Sequence, residues 1–464
     1  MEKTLFGTDG IRGVAGDSPL DPTTIACVGR CLGRHLKKNQ GQNCRVLIGQ
    51  DTRESGSWIV ATLSAALGEV GVAVASPGIV PTPGLAYLAV AGKYSAAVMV
   101  SASHNPFQDN GIKIFGSDGY KLPDAVELEL EAEIHCELKG IRRVPVEPTS
   151  EILPTDRTLL QPYLNHLLEI ARSVKPLPGR RAIIDCANGA ATALAREVFS
   201  AIPYEWVYIG DRPDGRNINL GCGSMHLELL RSCVKQAHAD FGVAFDGDAD
   251  RALFVDGGGH VVNGDGVLLA AARYMQRTGT LRGSAVIGTV MTNLGLERAL
   301  EKEDLALRRT AVGDKYVLDE MIRCGANLGG EQSGHIIFSD NATTGDGLLT
   351  ALEMVTIMAA ESRPLADLVK DLHVYPQKIR NVPVRERIPI ERLVGFQKQL
   401  RASEERLGAR GRIVVRYSGT ELLLRIMVEA ETVELVDEHI AALEQALAGS
   451  LKAAPNAGKH RAHA

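Results

Sequence analysis

An apolar run turns abruptly polar at Ala96-Ala97-Val98-Met99-Val100-Ser101-Ala102-Ser103-His104-Asn105-Pro106. The run up to Val100 has the length and bulk of a short buried strand. It stops at two hydroxyls, an imidazole, an amide and a proline, so the C-terminal end of the strand delivers a rigid polar loop. Open α/β sheets place their chemistry at such ends. Either serine offers a hydroxyl able to carry a phosphoryl group, and these residues alone do not choose between Ser101 and Ser103.

Working outward, short apolar runs alternate with longer helical stretches. Strands are expected at Val46–Ile48, Ala182–Ile184, Gly242–Phe245, Leu253–Val255 and Ala285–Ile287. Helices are expected over 57–70, 124–136, 158–172, 225–237, 265–277, 293–301 and 346–360. This β/α alternation indicates α/β units with sheets flanked by helices. No internal repeat stands out. The 464 residues call for three or four domains of ~100–200 residues each. Joints rich in Pro, Gly and charge lie in 140–156, at Asp256-Gly257-Gly258-Gly259 and near 363–382. They divide the chain at 1–153, 154–256, 257–372 and 373–450. The last part reads as a strand-turn-strand and a helix, and 451–464 as a patternless, disordered tail.

The composition excludes several functions. With 51 basic and 56 acidic side chains, a net charge of −5 and no basic stripe with interleaved aromatics, the chain does not read as a nucleic-acid binder. No apolar run reaches the ~18 residues of a membrane span, and no signal-peptide pattern opens the sequence. Eight cysteines without a Cys-x-x-Cys pair argue against structural zinc and for reduced thiols in the cytoplasm.

Several loops carry chemistry. Asp246-Gly247-Asp248-Ala249-Asp250-Arg251 follows an apolar strand with carboxylates at alternate positions. Such a set suits one small hard cation, Mg²⁺ above all, whereas an acidic surface turn would leave three carboxylates repelling one another. An aspartyl-phosphatase motif wants Thr or Val where Asp250 stands. Gly329-Gly330-Glu331-Gln332-Ser333-Gly334-His335 places Glu331 and Ser333 to face a hydroxylated substrate, although alone it reads as well as a simple turn. Arg416-Tyr417-Ser418-Gly419-Thr420-Glu421, with Arg425 beyond, offers guanidinium forks and backbone N–H groups suited to phosphate. In the opening Gly7–Gly13 loop Arg12 is a candidate anion ligand. Lys113 follows Ser103 in the next segment, where a solvated lysine is the ordinary expectation. Ser103 and His104 do not read as a hydrolase pair, since sequence neighbours rarely face each other and no Gly-x-Ser-x-Gly is present.

Taken together, Gly7–Gly13, Ser101–Pro106, Asp109–Lys113, Asp246–Arg251, Gly330–His335 and Ser418–Thr420 resemble the α-D-phosphohexomutase superfamily over about residues 5–445. Asp185–Ala190, Asn217-Ile218-Asn219 and Cys222-Gly223-Ser224 resemble its bacterial glucosamine-type members. The resemblance implies four domains around a central cleft. Three would be α/β units with mixed four-stranded sheets, bearing in turn the phosphoserine, the metal and the sugar site. The fourth would be a smaller α+β domain that binds phosphate. It implies Ser103 as the phosphorylated residue, with Mg²⁺ held by Asp246, Asp248, Asp250 and phosphorylated Ser103. Glu331 and Ser333 would bind sugar hydroxyls. Arg416, Ser418, Gly419, Thr420 and Arg425 would hold the non-reacting phosphate. Arg12 and Arg251 would assist transfer. Lys113, His104 and, on the sugar side, His335 are candidates for proton handling. The implied reaction interconverts glucosamine 6-phosphate and glucosamine 1-phosphate through a bisphosphorylated sugar, feeding UDP-N-acetylglucosamine synthesis, with Gln332 marking the amino sugar. The alternative is glucose or mannose phosphate with the same machinery. A homodimer is also implied. Three positions depart from the pattern: Ala249 for Gly, Lys315 for Arg, and Leu422 for Pro beside the phosphate loop, which it is expected to loosen.

Overall fold

The computed structural model describes residues 4–7, 9–140, 153–175, 177–418 and 422–453. The chain forms two compact units, one of residues 1–292 and 302–371, the other of 293–301 and 372–464.

The first unit holds three sheets. In the first, β1 (Ile11–Val14), α1 (Pro22–Gln40), β2 (Arg45–Gln50), α2 (Gly56–Glu69), β3 (Ala73–Ile79), α3 (Thr82–Ala91), β4 (Ala96–Val100), β5 (Asp109–Gly116) and α4 (Asp124–Gly140) follow in order. Helix α1 starts where Asp21 accepts the Thr24 N–H at 3.0 Å and Pro22 presets the first turn. Cys27 and Cys31 lie on its buried face, as their spacing suggests. Strand β4 is buried throughout, as its unbroken apolar run requires.

The second sheet is built from α5 (Gln161–Ser173), β6 (Arg181–Asp185), α6 (Ala195–Phe199), β7 (Glu205–Ile209), α7 (Glu228–Gln236), β8 (Phe241–Phe245), β9 (Ala252–Asp256) and β10 (Val261–Val262). The third takes α8 (Gly264–Thr278), β11 (Ala285–Thr289), β12 (Ala306–Thr310), α10 (Asp314–Cys324), β13 (Leu328–Gly330), β14 (Ile336–Phe338), α11 (Gly347–Glu361) and α12 (Leu365–Val369). The helix between β11 and β12, α9 (Leu294–Glu301), belongs to the second compact unit.

The strand orders are β1-β5-β4-β2-β3, β10-β9-β8-β6-β7 and β12-β11-β13-β14. All three share one core: a first strand flanked by parallel second and third strands, then an antiparallel fourth. The four-stranded sheets implied by the resemblance are therefore extended in two cases. β1 adds to the first sheet and β10 to the second, each pairing antiparallel to an exposed edge. The Asp256–Gly259 turn, expected as a domain joint, is the hairpin joining β9 to β10, so the second sheet continues to Val262. The other expected joint, 140–156, lies largely outside the described residues.

In the second unit, β15 (Gln377–Pro383), β16 (Gly411–Tyr417) and β17 (Leu423–Ala430) form an antiparallel sheet of order β15-β17-β16. α13 (Val394–Leu407) and α14 (Val433–Ala453) pack on it, burying Phe396, Leu407, Ile440 and Leu443 against Leu424, Ile426 and Val428. Helix α9 docks here because buried Glu429 accepts the Leu294 N–H at 3.0 Å, while Asn293 exchanges two bonds with the Tyr375 backbone. Residues 451–453, expected in the tail, are helical, and 454–464 lie outside the described residues.

Glu131 on α4 anchors the N-terminal segment that leads to β1. Its carboxylate accepts the backbone N–H groups of Thr4 (2.6 Å), Leu5 (3.0 Å) and Phe6 (3.0 Å) and the Thr4 hydroxyl (2.7 Å). Burial alone would raise its pKa, but these bonds override it and hold the group down at about 2. Such a depressed carboxylate stabilises the fold above its unfolded pKa of ~4.3 and loses that contribution as pH falls through the folded value. Glu131→Gln should therefore cost about 2 kcal/mol at neutral pH, the scale of hydrogen bonds to a charged group. In urea unfolding the gap from wild type should close between about pH 4.5 and pH 2; a gap independent of pH would refute this anchoring.

Candidate active site

The turn from third to fourth strand carries a chemistry-bearing loop in each of the three sheets. Between β4 and β5 it holds Ser103, between β8 and β9 the Asp246–Arg251 segment, and between β13 and β14 Glu331–His335. Equivalent topology thus delivers three different loops to equivalent strand ends.

The geometry separates the two serines. Ser101 Oγ donates to Asp51 Oδ2 at 2.6 Å and accepts the Ser103 N–H at 2.9 Å, so its hydroxyl is committed to holding the loop. Ser103 is wholly buried, stands at φ 53° and donates from Oγ to Asp246 Oδ2 at 2.5 Å. Left-handed backbone at a residue other than glycine is strained, and such strain gathers where geometry is functional. Ser103 Oγ also lies 3.3 Å from His104 Nδ1, so here the sequence neighbours do face each other. Burial, reinforced by the nearby Arg251 and Arg12, pushes the His104 imidazole down to about 4 and keeps it neutral at pH 7.

The close approach of the first two loops depends on Gly247. A Cβ there would stand 2.5 Å from the Ser103 carbonyl oxygen and 2.9 Å from Asn219 Nδ2. Two residues on, Ala249 stands at φ 56°, which explains why a glycine suits that position. Ligand atoms of Asp246, Asp248 and Asp250 all lie within 4.8 Å of one another, and all three residues are buried. Among the described residues, Asp248 Oδ1 and Asp250 Oδ1 find no hydrogen-bond partner despite their burial. Converging carboxylates with orphaned oxygens fit a small hard divalent cation. Ser103 Oγ, bonded to Asp246, lies beside this set. Desolvation and the charges of Asp250 and Asp248 push the Asp246 carboxyl well up, whereas Asp250 is held well down because Lys113, His335 and Arg251 together outweigh its burial.

Lys113 on β5 is not the solvated lysine that a lone residue suggests. It is 1% exposed, with Nζ 2.8 Å from Asp248, 3.3 Å from Asp250 and 3.1 Å from Asp9. Burial opposes its charge, but these carboxylates raise its pKa well above the usual value. The ammonium thus sits among the carboxylates of the triad and Asp9. His335 is buried as well. Gly345 donates its N–H to His335 Nε2 at 3.0 Å, and a Cβ at Gly345 would strike the ring at 2.5 Å. Burial opposes protonation of the ring, but Asp250 and Asp314 outweigh it and raise its pKa above the ordinary value. Nδ1 lies 3.7 Å from Asp250 and Nε2 3.7 Å from Asp314.

Arg12 and Arg251 frame the Ser103 side. Arg12 pairs with Asp9 and reaches the Ala102 carbonyl at 3.4 Å, and the Arg251 N–H donates to Asp246 at 3.1 Å. The buried Nε of each guanidinium has no hydrogen-bond partner. An oxyanion between them would satisfy both. In the third loop, Glu331 accepts the Gly313 N–H at 3.1 Å and Ser333 Oγ lies 3.4 Å from it. Gln332 donates to Asp265 Oδ2 at 3.3 Å. Lys315 donates instead to the Leu122 carbonyl (2.8 Å) and Asp124 (2.6 Å), at the start of α4.

In the second unit, Arg416 and Arg425 are cross-strand partners on β16 and β17, and burial together with Arg425 lowers the Arg416 pKa. Like charges directly opposite are unfavourable, and an anion beside them relieves the repulsion. Ser418 is buried at the end of β16, its N–H bonded to the Leu423 carbonyl at 2.9 Å. Gly419 and Thr420 lie outside the described residues, and Leu422 beside them is exposed.

Several site residues escaped the sequence reading. Asp9 and Lys121 form a charge chain onward to Asp314, and Thr82 Oγ1 donates to Asp248 Oδ2 at 2.6 Å. Asp51 and Arg53, both buried, follow β2 directly. The position of Asp51-Thr52-Arg53 at a strand's C-terminal end was the available signal.

A buried hydroxyl on an acidic triad, at matching strand ends of repeated mixed sheets, defines an α/β enzyme of the phosphohexomutase class. The chain belongs to the phosphoglucomutase/phosphomannomutase family. Its α/β/α domain models I, II and III match residues 3–139, 161–259 and 263–375, and its C-terminal domain model matches 380–446. Among its relatives, a phosphoglucosamine mutase of Koribacter versatilis is 48% identical over 96% of both chains. Another, of Solibacter usitatus, is 49% identical over 94% of this chain and 96% of its own. The fold also matches the crystal structure of a phosphoglucomutase/phosphomannomutase family protein from Burkholderia thailandensis, with TM-score 0.78, 24% identity and coverage of 96% and 97%.

Removing one partner of a buried ionic cluster costs about 3–5 kcal/mol. Lys113→Met should thus lower the thermal midpoint markedly in buffer with a chelator, and Mg²⁺ should restore part of the loss. An unchanged midpoint would show that the ammonium does not neutralise the triad.

Proposed function

We propose that this enzyme is a phosphoglucosamine mutase that interconverts glucosamine 6-phosphate and glucosamine 1-phosphate through phosphorylated Ser103 and a bisphosphorylated sugar. The observation that carries the reading is Ser103 Oγ hydrogen-bonded to Asp246 within the carboxylate triad. The choice of amino sugar over glucose or mannose phosphate rests on the relatives reported above.

In the forward step, the bond between phosphorus and Ser103 Oγ breaks and its electron pair stays on Oγ. A sugar hydroxyl oxygen forms the new bond to phosphorus and sheds its proton, and Oγ gains one, so charge and atoms balance. The second half reverses this with the other sugar phosphate. Asp246, Asp248 and Asp250, with an oxygen of phosphorylated Ser103, would hold Mg²⁺. When bound, Mg²⁺ neutralises the charge of the transferring group. Arg12 and Arg251 turn their unpartnered Nε–H groups to the phosphoryl oxygens. His104, neutral and 3.3 Å from Oγ, is placed to take and return the Ser103 proton. Glu331 and Ser333 bind sugar hydroxyls. Arg416, Ser418, Gly419, Thr420 and Arg425 hold the phosphate that is not reacting.

The domain division given from sequence assigns these tasks in order along the chain. All eight cysteines are free, which suits the cytoplasm. Among the described residues no helix is long and apolar enough to cross a membrane. The homodimer implied by the family is part of this reading and is checked by light scattering.

Ser103→Ala should lower kcat at least ~10⁴-fold, as removal of a nucleophile does, and abolish the phosphate adduct in intact-mass spectra. Comparing kcat/KM for glucosamine, glucose and mannose 6-phosphates should rank glucosamine first. Normal turnover by the alanine variant ends the phosphoserine reading, and a preference for glucose or mannose ends the substrate assignment alone.

A further inference from the structure

Ser103 keeps a left-handed backbone that is strained for a residue other than glycine, so something must hold it there. Its N–H is taken by Ser101 Oγ, itself fixed by Asp51. Its carbonyl receives two donors from opposite directions. Arg53 Nη2 donates to the Ser103 and Asn105 carbonyls at 2.9 and 2.8 Å. Asn219 Nδ2 donates to the same two carbonyls at 2.9 and 3.1 Å. Arg53 spans the rest of the loop as well, with Nη1 on the Pro106 and Asp109 carbonyls and Nε 2.9 Å from Asp51 Oδ2. Its guanidinium is buried, and all its recorded polar contacts are with the loop that bears Ser103 and with Asp51.

Arg53 comes from the segment after β2 in the first sheet, and Asn219 from the segment after β7 in the second. The same seam is closed by Thr52 Oγ1 donating to the Asn188 carbonyl at 2.6 Å and by the Glu54 N–H donating to the Gly215 carbonyl at 3.0 Å. Neither Arg53 nor Asn219 has a recorded bond to an aspartate of the triad or to the Ser103 hydroxyl. They act on the nucleophile only through its peptide group.

We propose that Arg53 and Asn219 are paired positioning residues that clamp the Ser103 peptide from two domains, keeping Oγ on Asp246 in both halves of the phosphoryl exchange. This gives the Asn217-Ile218-Asn219 motif a physical task. The inference rests on the phosphoserine reading and refines it.

The test uses the full chain with Arg53→Lys and Asn219→Ala. Lysine keeps a cation beside Asp51 but cannot fork across several carbonyls. Phosphoryl transfer from a hexose 1,6-bisphosphate to Ser103 is followed by intact mass, alongside kcat, KM and the thermal midpoint. Both variants should transfer about 10²-fold more slowly, the cost of a misplaced reacting group, with kcat falling in parallel and KM little changed. Wild-type rates in both variants, or losses that merely follow the unfolded fraction, overturn the clamp. If the lysine variant does not fold, Asn219→Ala decides alone. A wild-type chain that takes no phosphate on Ser103 overturns the phosphoserine reading itself.

Discussion

The site depends on one hydrogen bond, from the Ser103 hydroxyl in the first sheet to the Asp246 carboxylate in the second. It brings a buried hydroxyl and an acidic triad into hydrogen-bonding contact. Two backbone features make it possible. Ser103 turns into left-handed conformation at the end of β4, and Gly247 lacks the Cβ that would hold the two loops apart. Neither loop is aligned by chance, because both sit at the turn from third to fourth strand of the same sheet topology.

Charge is the second constraint. Four aspartates converge, Asp246, Asp248 and Asp250 buried and Asp9 partly so, and buried charge is tolerated only when paired. Lys113 answers three of them directly, and Arg12, Arg251 and Lys121 ring the cluster. The arrangement still leaves carboxylate oxygens and guanidinium Nε–H groups without partners in the same place. A divalent cation and a phosphoryl group, bound together, would satisfy both kinds of orphan at once.

Much of this was legible in the residues. A strand breaking into Ser101–Pro106, and another breaking into alternating aspartates, announce strand-end chemistry without any structure. What stayed hidden depended on long-range pairing. The repeated sheet topology left no sequence periodicity, because burial specifies apolar strands but not their order. Short strands such as β12, with polar Arg308 and Arg309, carry no clear apolar signature. Lys113 looked ordinary because nothing local reveals carboxylates more than a hundred residues away. The surroundings of His335, Asp250, Asp314 and the Gly345 N–H, come from other loops and were equally hidden. Arg53 drew no notice and Asn219 only as part of a motif, and the fold alone shows both donating to the same carbonyls.

The most direct test of the shared pocket is a crystal of the phosphorylated chain soaked in Mn²⁺ and measured at the manganese absorption edge. One anomalous peak should stand about 2.1 Å from oxygens of Asp246, Asp248 and Asp250, the range of such hard-cation ligands, and also contact an oxygen of the phosphate on Ser103. A peak elsewhere, or carboxylates turned away from the Ser103 oxygen, would contradict the joint site for metal and phosphoryl group.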